Sequence, residues 1–286
     1  MISVVVPVLN AAGTIGEQLA ALAGQEADVA WEVVVADNGS TDATRSALDA
    51  AGPKLPHLRV VDALRRRGPA AARNQGAAAA RGDVLAFCDA DDVVAPGWLA
   101  AVATATGEHD FVAGSLDIGG RWRPPAPPDS DPPPLWAPTT GTFGWLKYGL
   151  GANMAVSRRA FDQLGGFAEE LQAGEDLDLS WRLQLAGYPL HYEPAALVYK
   201  RPRPTSAHQV RQYIKYGRYN VMIYKRLRSA GMPRRPLDAQ LRHYGWLGLN
   251  AWRLVAGGRG RVTWLISASA GAGRILGSIR YRTLYL

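Results

Sequence analysis

The chain is poor in cysteine, in long apolar runs and, from residue 200 onward, in acid. Cys88 is the one cysteine among 286 residues. This excludes an intramolecular disulfide and any multi-cysteine metal site, and it makes a reducing, cytoplasmic setting the expectation. The opening MISVVVPVLN has no basic flank, and its apolar run is too short for a signal peptide or a membrane span. No later window of about 18 residues is both charge-free and strongly apolar, so a conventional transmembrane protein is not expected. The five histidines are scattered, without an H-x-x-x-H or H-E-x-x-H spacing, so each reads as a core or surface residue and zinc is not expected. No repeat of fixed period is present. Beyond Tyr199 the only acid is Asp238, set against 18 Lys and Arg, whereas residues 1–199 carry 24 Asp and Glu against 14 Lys and Arg. The overall charge of +7 therefore conceals halves of −10 and +17, and a basic tail implies an anionic partner.

What is present alternates between strand and helix. Residues 2–6, β-branched but for Ser3, run to Pro7 and read as a buried parallel strand whose exit is set by the proline and Asn10. A helix is expected over 14–23. A second strand over 32–36 ends in Asp37-Asn38-Gly39-Ser40-Thr41-Asp42, turn formers and N-cap candidates that precede a helix to about residue 50. Residues 58–61 make a third strand. The stretch 68–92, GPAAARNQGAAAARGDVLAFCDADD, follows. Arg73 and Asn74 open an Ala-rich segment of high helix propensity, 84–88 is a strand, and Asp89, Asp91 and Asp92 stand at its carboxyl end. Residues 110–114 add one more strand. Alternating units of this length predict a parallel, doubly wound α/β sheet with right-handed crossovers, in which ligands bind beyond the carboxyl ends of the strands.

The pattern breaks over 124–138, where eight of fifteen residues are proline; a loop or lid is expected there and regular structure is excluded. A strand over 151–156, a helix over 159–164 closed by Gly165-Gly166, a helix over 175–186 and a short strand over 197–199 follow. The basic segment then reads as helical pieces over 209–229, 237–255 and 262–279. In the last, Trp264, Leu265, Ala268, Ala272, Ile275 and Ile279 can line one face while Arg274, Arg280 and Arg282 supply charge. Such a piece either lies on a membrane surface or packs on the rest of the protein with its arginines outward.

Three acidic constellations follow strands or open a helix: Asp37 with Asn38, Ser40 and Asp42; Asp89, Asp91 and Asp92; and Glu175, Asp176 and Asp178 after Gly174. Helix capping and solvated turns explain each one singly. Together on one sheet edge they would repel unless a cation or a substrate lies between them.

These residues resemble the inverting family 2 glycosyltransferases with the GT-A fold. Residues 4–10, VVVPVLN, resemble that family's opening strand and turn, and 33–42, VVVADNGSTD, its second. Gly68 to Gly76, followed by Phe87-Cys88-Asp89-Ala90-Asp91-Asp92, resembles the segment ending in its D-x-D motif. Gly165-Gly166-Phe167, then Gly174-Glu175-Asp176, resembles its acceptor-side signatures. The resemblance covers residues 2–205 and implies a Rossmann-like, mostly parallel GT-A domain over 1–205, with 206–286 a basic helical extension. It implies that Asp37, with Pro7 and Asn10, meets the nucleotide base, that Arg73 helps hold the nucleotide, and that Asp89 meets ribose or donor sugar. By the same resemblance Asp91 binds Mn2+ or Mg2+ on the diphosphate, Glu175 contacts the acceptor, and Asp176 is the general base. Relatives often carry a metal-ligating histidine where this chain has Lys200. A charged ammonium ligates no metal, so Lys200 is expected to meet the donor phosphates instead. The Q-x-x-R-W motif of processive synthases is absent.

The implied activity is metal-dependent, non-processive transfer of one sugar from a nucleoside-diphosphate sugar, UDP favoured, to a lipid-linked or cell-envelope glycan. Such an enzyme would be cytoplasmic, with its tail on the anionic inner face of the plasma membrane. The alternatives are a soluble enzyme acting on a secondary metabolite or protein, its tail a homodimer interface, and, in another class, a non-catalytic sugar-nucleotide-binding or nucleic-acid-binding protein. With no nucleic-acid motif and an acidic first part, nucleic acid is not an expected partner.

Overall fold

A computed structural model of the chain describes residues 1–55, 57–118, 135–201 and 206–286. The chain divides into two compact units, one of Met1–Thr139, Leu146–Glu170 and Glu175–Pro202, the other of Thr140–Trp145, Leu171–Gly174 and Arg203–Leu286. The first runs β1 (Ile2–Val8), α1 (Ile15–Ala23), β2 (Trp31–Asp37), α2 (Thr44–Ala51), β3 (Leu58–Asp62), α3 (Pro69–Ala79), β4 (Val84–Cys88) and β5 (Val93–Val94). It continues through α4 (Trp98–Glu108), β6 (Phe111–Asp117), β7 (Leu135–Trp136), β8 (Asn153–Ser157), α5 (Arg158–Gln163), α6 (Glu175–Leu185) and β9 (His191–Tyr199).

The strands form one sheet in the order β3-β2-β1-β4-β8-β6-β9-β5, with β7 beside β6. β3, β2, β1 and β4 are parallel, as the alternating pattern predicts. β8 then runs antiparallel between β4 and β6, and β6 and β9 are parallel to each other. Both faces are covered, and this is why the strands read as continuous apolar runs. Val4, Val6, Val33, Val35 and Ala86 belong to one core with side chains of α1 and α4. Their neighbours Val5, Val34, Leu85 and Phe87 belong to the other, with α3, α5 and α6, following the two-residue period of a strand.

Three details differ from the sequence reading. The Ala-rich helix starts at Pro69, in the first helical position that proline suits, so Arg73 lies a full turn inside it. Small side chains there serve close packing: a Cβ on Gly76 would stand 2.6 Å from Val5 Cγ1 and 3.2 Å from Ala36 Cβ. β9 extends back to His191, beyond the expected 197–199, because a register shift opposite Gly114 and Ser115 accommodates Pro194. The side chain of Asn153 fills that irregularity, donating to Ser115 O and Ala196 O at 2.7 Å and accepting from Trp98 Nε1 at 2.9 Å. Within the proline-rich stretch, residues 124–134 lie outside the described residues, but Leu135 and Trp136, which keep their N–H groups, pair with Asp117 and Leu116 as β7.

The second unit contains α7 (Ser206–Leu227), α8 (Leu237–Leu249), α9 (Arg253–Ala256) and α10 (Gly258–Tyr281). The single helix expected over 237–255 breaks at Asn250, whose side chain turns back to donate to Trp246 O. Glycines let α7 and α10 meet backbone to backbone: a Cβ on Gly217 would overlap Ala270 O, one on Gly273 would overlap Ile214 O, and one on Gly277 would stand 2.7 Å from Arg218 O. The inward face of α10 is therefore Ser269, Gly273, Arg274 and Gly277, all buried, while Ile275, Leu276 and Ile279 are exposed. This corrects the expectation that Arg274 supplies surface charge. Among the described residues no helix is long and apolar enough to cross a membrane.

Candidate active site

The site begins where β1 and β2 end side by side, Val8 opposite Asp37. The Asn38 N–H donates to Val8 O at 2.9 Å. Its side chain pins the loop before α3, donating to Ala63 O and to Arg66 O and accepting from Gly68 N–H at 2.8 Å. Asn10, at φ 52° in the left-handed region that asparagine tolerates, donates its N–H to Ser40 Oγ at 3.0 Å and accepts from Thr41 N–H at 2.8 Å. Asp37 is buried and accepts from Ser40 N–H at 2.9 Å. These bonds lace two turns into the wall of a cleft of about 370 Å³ whose lining includes Pro7, Asn10, Asn38, Gly68, Asp89 and Asp91.

Beneath the cleft Arg73 reaches from the middle of α3. Its guanidinium donates to Asp89 Oδ1 at 2.6 Å and to Glu175 Oε1 at 2.8 Å. It lies 5.5 Å from the centre of the Phe167 ring, a cation–π contact. A Cβ on Gly151 would stand 2.9 Å from its Cζ, so glycine is what fits there. Burial works against the charge, but Asp89, Glu175 and Asp176 outweigh it and raise the pKa above the ordinary guanidinium value. Arg73 thus joins the carboxyl end of β4 to the start of α6.

Asp89, Asp91 and Asp92 bring carboxylate oxygens within 4.8 Å of one another. A compact set of hard oxygen donors suits Mg2+ or Mn2+. Asp92 is not idle: Lys200 Nζ donates to its Oδ2 at 2.7 Å and Arg201 N–H to its Oδ1 at 3.0 Å. Burial, against the pull of Lys200 and with the charges of Asp89 and Asp91, pushes its pKa up to about 6. Lys200 also lies 3.6 Å from Asp89 Oδ2. Burial opposes its charge, yet the two aspartates hold its pKa above the ordinary lysine value.

Asp176, in the first turn of α6, accepts from Gly151 N–H at 3.0 Å and, through its other oxygen, from Leu177 N–H at 2.9 Å. Burial raises its pKa, with Gly151 and Arg73 pulling the other way. Burial and the charge of Asp176 likewise raise that of Glu175, against Arg73.

Of the residues picked from sequence, Pro7, Asn10, Asp89 and Asp91 line the cleft; Arg73 and Glu175 stand behind it as an ion pair, Asp176 is next to them, and Lys200 meets carboxylates of the acidic cluster. Asp37 is at the strand end but is not among the lining residues. The sequence reading gave Asn38 and Asp92 no role of their own beyond their places in two of the acidic constellations, and gave Gly151 none. Asn38 and Asp92 sit inside motifs whose spacing was visible, whereas the spacing Gly149-Leu150-Gly151 was the one signal for a close approach of backbone to Arg73.

A parallel sheet edge with a D-x-D cluster, continued by β8, β6 and β9, is the GT-A type of α/β fold. The model of Glycosyl transferase family 2 matches residues 3–165, more than half of the chain, which belongs to that family. A second model, Glycosyl transferase family group 2, matches residues 142–280. The mannosyltransferase PcManGT of Pyrobaculum calidifontis, solved with GDP-Man and Mn2+, superposes with a TM-score of 0.66 at 22% identity, covering 96% of this chain and 86% of that one; this likeness is one of fold. The pre-mycofactocin glycosyltransferase of Mycobacterium tuberculosis is 32% identical over 219 residues, 69% of this chain and 42% of that protein. Succinoglycan biosynthesis protein ExoU of Rhizobium meliloti is 35% identical over 192 residues, 62% of this chain and 55% of that protein. The chain thus spans about half the length of these curated relatives.

Proposed function

We propose that the chain transfers a single sugar from a nucleoside-diphosphate sugar to an acceptor hydroxyl, with inversion at the anomeric carbon. The observation that carries this reading is Arg73, one buried guanidinium bonded both to Asp89 at the cleft and to Glu175 at the head of α6. It couples a donor-side carboxylate to an acceptor-side one through a rigid helix. Asp37, Pro7 and Asn10 serve the base end of the donor, and Asp89 the ribose or sugar. A divalent cation held by Asp91, with Asp89 and Asp92 in reach, would supply positive charge for the diphosphate leaving group. Lys200 keeps Asp92 in place and adds positive charge at the phosphate end. As the acceptor oxygen attacks the anomeric carbon and the bond to diphosphate breaks, the hydroxyl proton passes to Asp176. Its raised pKa favours taking that proton, and its two backbone N–H partners fix its orientation. Asp176→Asn should lower turnover by about 100-fold or more while leaving the thermal shift given by nucleotide and Mn2+ unchanged; wild-type turnover in that variant would sink the assignment. The same shift, read across UDP-, GDP- and dTDP-sugars, tests the preference for UDP.

For the acceptor, a lipid-linked or envelope glycan at an anionic membrane is the reading supported by the second unit. Leu249 is 83% exposed, Val255 90% and Ile279 72%, in a segment with 18 basic residues and one acid. Large exposed apolar side chains beside Lys and Arg are what an anionic membrane surface binds. Co-sedimentation with anionic vesicles at moderate salt should be positive. If it is absent, the acceptor is free in solution, a secondary metabolite or a protein, and the apolar face pairs two copies.

A further inference from the structure

The second unit contains a buried cation that meets no carboxylate side chain among the described residues. Arg274 is 7% exposed, and its Nε and Nη2 have no hydrogen-bond partner among the described residues. One turn earlier on α10, Gly271 allows α8 to approach: a Cβ there would stand 3.1 Å from His243 Nε2 and 3.2 Å from Tyr244 Cε1. His243 Nε2 is likewise buried and unpartnered. Arg235 lies close enough for its charge to act on both, and its Nη1 donates to the main-chain oxygen of Leu286 at 3.1 Å. Tyr285, 3% exposed and stacked on Tyr224 with ring centres 4.7 Å apart, closes the same cluster.

The sequence segments of this unit hold one carboxylate side chain, Asp238, and it is exposed and already bonded to Arg242 at 2.5 Å. Two guanidiniums and an imidazole therefore converge, with three buried nitrogens unbonded among the described residues and no carboxylate side chain of the unit to meet them. A buried ionic N–H left without a partner is strongly unfavourable. Burial and the charge of Arg235 both lower the pKa of Arg274. Burial, Arg274 and Arg235 take that of His243 down to about 4. Arg274 and His243 are thus both disfavoured in their cationic forms until a negative charge enters.

We propose that Arg274, Arg235 and His243, with the Tyr244 and Tyr285 hydroxyls, form a binding site for a phosphate group. The forked N–H donors of the two arginines match tetrahedral phosphate oxygens. A phosphate monoester or diphosphate also carries enough charge to balance both. The same chemistry is offered by a free phosphate ester and by a phospholipid headgroup. The proposal goes beyond the transferase reading and stands without it.

The test is a thermal-shift titration of the full chain with inorganic phosphate and inorganic diphosphate, against chloride at equal ionic strength. Vesicles of phosphatidylcholine with and without phosphatidic acid form a second arm. At about tenfold the Kd, a filled site should raise Tm by roughly 3–6 °C. Arg274→Met and Arg235→Met should each abolish that rise. Arg235 is half-buried, so its variant keeps the fold even if the other does not. The shift with Mn2+ and nucleotide should survive in both, which separates this site from the donor cleft. A rise with the soluble anions identifies a free phosphate ester. Binding confined to phosphatidic acid vesicles, and weakened about tenfold or more by Arg235→Met against less than about fivefold for the exposed Arg211→Met, identifies a headgroup. No response in either arm, or a response that both variants retain, overturns the proposal.

Discussion

The two units treat their buried cations in opposite ways. In the first, Arg73 holds two carboxylates, Asp89 and Glu175, and leaves only its Nε without a partner, and Lys200 lies between Asp89 and a third, Asp92. In the second, Arg274 is as deeply buried and meets no carboxylate of its own unit. A closed ion-pair network sets geometry before any substrate arrives, which suits a site that must align a donor and an acceptor. An open, unbalanced cluster awaits its counter-charge from outside. The comparison teaches that a buried charge is informative through its partners: present, they mark a preorganised site; absent, they mark a ligand.

The most direct way to break this comparison is to remove Arg73. Arg73→Met strands Asp89 and Glu175 at the edge of the core and should lower stability by about 3–5 kcal/mol, measured by urea denaturation. A loss under about 1 kcal/mol would mean that the network contributes little to the fold. In the second unit the equivalent damage comes from volume. Gly273→Ala puts a methyl group onto Ile214 O at the α7–α10 crossing, and a loss near 3 kcal/mol is expected, the upper part of the usual overpacking range. A neutral outcome would show that the two helices separate freely.

The sequence made the first unit readable because its signals are local. β-Branched runs, Pro7, the Asp37 turn and the acidic residues after Phe87 each declare a strand end, and the family's motif order ties them together. The irregular half was harder. β9 contains Pro194 and a bulge, so its pairing depends on Asn153 from a distant strand. The linking role of Arg73 was invisible because Asp89 and Glu175 are 16 and 102 residues from it along the chain. In α10 the apolar period suggested one apolar face, for a membrane surface or for packing, but Gly217, Gly273 and Gly277 let backbone contact set the packing instead. A hydrophobic pattern names the face that packs only where side chains do the packing.

Acid titration sharpens the first unit's side of the comparison. Asp92, pushed up to about 6, keeps in the folded chain a proton that an unfolded carboxyl, near ~3.9, has released. Between about pH 4 and 6 the folded state binds more protons than the unfolded one, so this group's contribution to stability falls as pH rises through that window and is level above it. The change is on the order of 3 kcal/mol. Asp92→Asn, whose amide does not titrate, should flatten that part of the urea-denaturation profile. An unchanged slope would assign the proton to another group.

The smallest expected effect on stability is the one that separates the faces of α10. Its inward side is glycine, serine and a buried arginine, and its outward side presents Ile275 at 43%, Leu276 at 53% and Ile279 at 72% exposure, the reverse of a helix folded against water on one side. Ile279→Asn removes apolar surface that the fold does not use, so stability should move by no more than about 0.5 kcal/mol. If that surface enters a membrane, the same change forfeits most of one isoleucine's transfer free energy, about 1.5 kcal/mol or more, and vesicle affinity should fall about tenfold. Binding that is unchanged, with stability lowered by more than about 1 kcal/mol, would place Ile279 in a packed interface and remove the membrane from the outward face of α10.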